Sequence, residues 1–70
     1  MQEIRIKDES IKLGQALKLA GLAGSGVEAK IQIQDGLVTV NGKVEERRGR
    51  KLYPGDVFAL EGNEVKVVSL

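Results

Sequence analysis

The sequence predicts an α+β fold in which a two-helix pair packs on a small, mainly antiparallel sheet, in the order β-α-α-β-β-β-β. Three observations carry this reading. Residues 3–7, Glu-Ile-Arg-Ile-Lys, alternate polar and apolar side chains, the period of a half-buried strand. From Leu13 the apolar residues fall at Leu13, Ala16, Leu17 and Ala20, the i, i+3, i+4, i+7 stripe of an amphipathic helix. Beyond Leu37, short apolar runs alternate with turn signals. Asn41-Gly42 is the strongest of these, because both residues tolerate positive φ in a two-residue hairpin.

Taken in order, the first strand covers Ile4 and Ile6. Asp8, Glu9 and Ser10 then offer N-cap candidates for the first helix, with acidic charge suited to a helix N-terminus. Lys12, Gln15 and Lys18 fall off its apolar stripe, and Gly21 is a natural left-handed stop. Ser25-Gly26-Val27-Glu28 reads as a capping box and starts the second helix. Val27, Ala29, Ile31 and Ile33 alternate strictly, which by itself is a strand pattern. The specific cap chemistry favours the helix, in which Val27 with Ile31 and Ala29 with Ile33 form i, i+4 pairs. Asp35-Gly36 ends it. Residues 37–40 form a strand and 43–46 its return across Asn41-Gly42. Tyr53-Pro54-Gly55-Asp56 is a turn, 57–60 a strand, 61–63 a turn and 64–68 the last strand. The expected core includes Leu13, Leu17, Val27, Ile31, Val38, Val40, Val57 and Val67, with Phe58.

Seventy residues are expected to form a single domain, 1–70, too thin-walled for a deep cofactor pocket. With no cysteine there is no disulfide framework and no Cys-based zinc site. With no histidine the commonest general base and metal ligand is missing. Neither an enzyme nor a cofactor-binding protein is expected. Glu45-Glu46 is no acid/base pair if strand neighbours point to opposite faces. Gly21-Leu-Ala-Gly24-Ser-Gly26 follows a helix and lacks Gly-Lys-Ser or Gly-Lys-Thr, so it is no phosphate loop. No apolar run approaches the roughly 20 residues of a membrane span. No membrane or small-molecule partner is expected, and the location expected is cytoplasmic. The positions that could carry function are cationic. Arg47-Arg48-Gly49-Arg50-Lys51 places four cations in five residues, beside Glu45 and Glu46, in a chain of net charge +1. Tyr53 and Phe58, the only aromatics, cannot build a stacking platform for single strands.

From Lys12 to Val57 the chain resembles the S4 RNA-binding domain. The residues that carry the resemblance are Leu13, Leu17, Gly21-Leu22-Ala23, Ser25, Glu28-Ala29-Lys30 and Ile33, then Gly36, Val38, Val40-Asn41-Gly42 and Pro54-Gly55-Asp56-Val57. The extra strand at each end is similar to small stand-alone bacterial S4-like proteins of the YaaA and YbcJ type. The resemblance implies an S4-like (alpha-L motif) fold and a monomeric, non-catalytic protein. It implies binding of structured RNA through a basic face, with ribosomal RNA the target class the resemblance suggests. Positions matching the family's RNA-facing ones are Lys12, Ser25, Lys30, Asn41 and Lys43; Arg47, Arg48, Arg50 and Lys51 lie between motif elements and could touch several phosphates. Two positions depart from the family. Gly26 stands where it usually has Arg, and Lys12-Leu13-Gly14 where it often has Arg-Leu-Asp. With the near-neutral charge, Gly26 favours an alternative: a small protein–protein interaction or adaptor domain that keeps the S4 fold without strong RNA affinity. Cations gathered on one face would favour RNA; scattered cations with an exposed apolar patch would favour the adaptor.

Overall fold

Alternation along the strands decides which face of the sheet is buried. A computed structural model describes all 70 residues. The elements are β1 (Gln2–Ile6), β2 (Ile11–Lys12), α1 (Leu13–Leu19), α2 (Gly26–Gln34), β3 (Val38–Val40), β4 (Lys43–Val44), β5 (Lys51–Leu52), β6 (Val57–Leu60) and β7 (Asn63–Ser69). Five strands form one sheet in the order β1-β7-β6-β3-β4, in which only the β1–β7 pair is parallel. The register sets Ile4 beside Val67, Phe58 beside Val65 and Val40, and Leu60 beside Val38. All seven side chains are buried, on one face, by the period-2 rule. Leu13, Ala16, Leu17 and Ala20 of the first helical segment and Ala29 and Ile33 of α2 complete the same core.

Each helix ends as its glycine requires. Gly21 (φ 77°) and Gly36 (φ 75°) take the left-handed conformation. The N–H groups of Gly21 and Leu22 donate to Lys18 and Leu17, and those of Gly36 and Leu37 to Ile33 and Gln32. Both are Schellman closures, in which otherwise orphaned carbonyls of the last turn are satisfied. At the start of α2, Ser25 Oγ accepts from the Glu28 N–H at 3.1 Å. The Glu28 carboxylate reaches back one residue further than expected, to the Gly24 N–H at 3.0 Å.

Four expectations are corrected. First, none of Asp8, Glu9 and Ser10 caps α1. Its N-cap is Lys12, with no side-chain cap bond, because Ile11-Lys12 is drawn into a two-residue antiparallel ribbon with Lys51-Leu52. The ribbon is held by Leu52, which is buried, and Ile11, which packs against the core. Second, the ribbon adds β2 and β5 to the expected strands. Third, the return strand stops at Val44 rather than running to residue 46, because Glu45 turns its side chain into the fold. Fourth, Val27 and Ile31 are not core: they are 69% and 54% exposed. Two residues on a helix are separated by about 200°, so strict alternation divides between opposite faces. Ala29 and Ile33 face inward and Val27 and Ile31 outward.

The two faces of α2 therefore respond differently to truncation. Ile33→Ala should cost about 2–5 kcal/mol, whereas Ile31→Ala should stay within about 0.5 kcal/mol. Urea denaturation midpoints of the two variants measure the difference, and equal losses would overturn the assignment of faces.

Candidate nucleic-acid interface

Between β4 and β5 the chain forms no regular structure, yet it is tightly specified. Glu45, exposed to 9% at its side chain, is the one buried charged residue. Its N–H donates to the Val38 carbonyl, which fixes it to β3. Its carboxylate accepts four hydrogen bonds. The Arg47 N–H (3.1 Å) and Nε (2.9 Å) donate to Oε2; Arg47 Nη2 (3.1 Å) and Arg50 Nη1 (2.7 Å) donate to Oε1. The Arg47 fork is bidentate, the arrangement that suits guanidinium and carboxylate best. These bonds, those from Arg47 first and then that from Arg50, outweigh desolvation and pull the Glu45 carboxyl down to about 2. The same pairing raises Arg47 further above its ordinary value.

So folded, the loop turns backbone carbonyls toward α1. The Leu13 N–H donates to the Arg50 carbonyl at 2.8 Å and the Gly14 N–H to the Arg48 carbonyl at 3.1 Å. The first amides of a helix have no partner within it, and here the loop supplies two. The approach is close enough to need a glycine. A Cβ on Gly14 would lie 2.8 Å from Arg48 Cγ.

Where the loop meets the two helix starts there is a concavity of about 340 Å³. It is lined by Lys12, Gly14, Gln15, Lys18, Gly26, Arg48 and Gly49, without one carboxylate or apolar side chain. Arg48 makes no ion pair, unlike Arg47 and Arg50. The antiparallel register places Lys51 directly opposite Lys12. Like charges facing each other across strands repel, and an anion between or beside them relieves that repulsion. Gly26 opens α2 and its N–H has no acceptor within the chain, as is general for the first turn of a helix. The arrangement can hold an anionic group against three convergent cations; it offers no wall on which a base could stack.

The structure brings together Lys12 and Arg48 of the residues singled out from sequence, with Lys51 beside them. Lys30 follows Gly26 by one helical turn, on the same face of α2. Ser25 is occupied as the α2 cap. Asn41 takes φ 52° at the hairpin, and its side chain spans to β6. Its Nδ2 donates to Asp56 Oδ1 at 3.1 Å and its Oδ1 accepts from the Val57 N–H at 3.0 Å. Lys43 is exposed on β4, and Arg47 and Arg50 are tied to Glu45. Sequence reasoning left out Lys18, Gln15 and Glu45. The signal for the first two was present, since both share the polar side of α1 with Lys12. Glu45 gave only the signal of a charge next to opposite charges.

Residues 4–68 match the S4 domain family. RlbA of Bacillus subtilis, named a probable ribosome maturation protein, is 51% identical over 59 residues, 84% of this chain and 83% of that protein. YbcJ of Escherichia coli is 40% identical over 63 residues, 90% of each chain. The solution structure of YbcJ, described as revealing an alpha-L motif involved in RNA-binding, superposes with a TM-score of 0.75 at 38% identity, covering 97% of this chain and 87% of that one.

The lowered Glu45 carboxyl makes a prediction about acid stability. Its folded value, about 2, lies below the unfolded 4.5, so it stabilises the fold above about pH 4.5. That contribution should drain away as pH falls from about 5 toward 2. Glu45→Gln should flatten this part of the stability–pH curve and Glu46→Gln should not. Denaturant midpoints across that range measure it, and a parent curve unchanged by Glu45→Gln would contradict the clasp.

Proposed function

Because the chain belongs to the S4 domain family, we propose that it is a non-catalytic RNA-binding protein that grips structured RNA by its phosphates. The single observation that carries this is the concavity in which Lys12, Lys18 and Arg48 converge with no carboxylate among the lining residues. A duplex RNA offers its shape, phosphates and 2′-hydroxyls, because its deep major groove is closed to side chains. A polar, cationic hollow without apolar walls suits that target and does not suit unstacked bases. Lys51 and Lys30 extend the contact on either side; Lys43, Ser25 and Asn41, which do not line the concavity, are further candidates for contact with a larger RNA. Arg47 and Arg50 contribute chiefly by the field they add, since each already has a carboxylate partner.

The net charge of +1 does not argue against this reading once the charges are placed. Affinity for phosphates depends on local cation density rather than on the total. Ribosomal RNA, or a ribosomal particle under assembly, is the target class we propose. Its support is the kinship with RlbA, which carries ribosome maturation in its name. The protein acts as a monomer built from one domain, in the cytoplasm.

A second reading, an adaptor domain, is favoured by one observation: Val27 and Ile31 expose an apolar stripe on α2. Binding to a structured ribosomal RNA fragment across a salt series separates the two. The RNA reading expects log affinity to fall linearly with log salt. Lys12→Ala, Lys18→Ala and Arg48→Ala should each reduce the slope by about 0.7–0.9. Joint reversal of Arg47, Arg48, Arg50 and Lys51 to Glu should abolish binding. An absence of binding at low salt, with the fold intact, would overturn the RNA reading and leave the adaptor.

A further inference from the structure

We propose that Glu45 is the positioning residue of this interface: it shapes the 45–51 loop so that Arg48 joins Lys12 and Lys18 at the concavity, and loss of its negative charge weakens RNA binding instead of strengthening it. The proposal rests on the RNA-binding reading above. Coulomb's law applied to charge alone gives the opposite answer, since deleting an anion among cations should raise affinity for a polyanion.

Geometry decides between the two. The loop has little structure of its own; its single internal backbone bond runs from the Arg50 N–H to the Arg47 carbonyl at 3.2 Å. Beyond that bond it is fixed through Glu45, through the two carbonyls at α1 and, at its far end, through the pairing of Lys51 with Lys12. Up to Arg50 the supports are in series. β3 holds the Glu45 backbone, and the Glu45 carboxylate holds Arg47 and Arg50. The residues between and at the clasped arginines then present the Arg48 and Arg50 carbonyls to α1. Arg48 itself has no polar side-chain partner, and its position comes from its backbone bond to Gly14 and its seat against that glycine. Remove the carboxylate, and Arg47, Arg48, Arg50 and Lys51 repel one another with no anion among them, and the turn keeps only its backbone bonds. Arg48 then leaves the concavity as a mobile cation, and the phosphate contact it makes there is lost. Arg47 and Arg50 gain freedom, but lose the geometry that set Arg48.

The test compares Glu45→Gln with Glu46→Gln, which removes the same charge from the exposed neighbour. Affinity for the structured RNA fragment and its salt slope are measured for both and for the parent. Hydrogen exchange of the Leu13 and Gly14 amides reports whether the loop still caps α1. For Glu45→Gln the expected result is faster exchange at both amides, weaker binding and a slope reduced by about 0.7–0.9, one phosphate contact. For Glu46→Gln it is unchanged exchange, unchanged slope and equal or tighter binding. Partial unfolding alone would scale the affinity by the folded fraction and leave the slope as it was. A folded Glu45→Gln that binds like Glu46→Gln overturns the proposal. A parent that does not bind RNA overturns the reading beneath it instead. Should Glu45→Gln fail to fold, Gly14→Ala makes the test with the carboxylate in place: its Cβ displaces Arg48. The same loss of slope is then expected, and an unchanged slope overturns the claim.

Discussion

Six cations, Lys12, Lys18, Arg47, Arg48, Arg50 and Lys51, crowd one corner of this fold around one buried carboxylate. Such crowding opposes folding unless something offsets it. Taking a carboxylate out of water costs several kcal/mol, and the cost is recovered only where geometry and hydrogen bonding are nearly complete. Glu45 meets that condition, with both oxygens doubly engaged and its backbone fixed to β3. The carboxylate neutralises part of the cluster and, more importantly, decides its shape. β5, which closes the ribbon with β2, and the seat of Arg48 both lie downstream of it along the chain.

The start of α1 shows how a charged site constrains the helix next to it. A helix N-terminus ordinarily prefers Asp, Ser or Thr as cap and acidic residues in its first turn. α1 has Lys12 as cap and no acid in that turn. An acidic cap would satisfy the helix but would put negative charge in the hollow. Carbonyls of Arg48 and Arg50 satisfy the Leu13 and Gly14 amides without adding charge. The loop thus stabilises the helix, the helix seats the loop, and the hollow between them stays free of anions. Gly14, which departs from the family's more usual Asp, is what lets the two approach so closely.

Most of the fold was legible because it rests on local rules. The strand period at Ile4 and Ile6, the stripe at Leu13, Ala16 and Leu17, the glycine stops and the Ser25 cap each need only a few neighbouring residues. The capping box correctly outweighed the strand-like alternation of Val27 to Ile33, yet the same alternation misled about burial. Which helix face turns inward depends on the sheet, and a window of sequence does not contain the sheet. The ribbon joining Ile11 to Leu52 escaped for a related reason: a two-residue pairing has no period to read. At the site, Lys12, Arg48 and Lys51 could be singled out by charge and motif position. Glu45 could not, because what separates it from Glu46 is that one carboxylate is buried and the other exposed, a property of the assembled chain.

The parallel pairing of β1 with β7 has a bearing on how the molecule comes to exist at all. Residues 2–6 have their ladder partners at 65–69, and β7 is also the strand that connects β1 to the rest of the sheet. During synthesis, β1 therefore waits for β7, which is made after every other strand of the sheet. Ile4 and Ile6, both destined for the core, stay without their partners while everything between is produced. Pairing across so much chain pays its loop-closure entropy before any contact rewards it, and slows folding accordingly. The helices, the β3–β4 hairpin and the arginine loop can all take shape on a growing chain, whereas the sheet's far edge can close only once β7 has emerged.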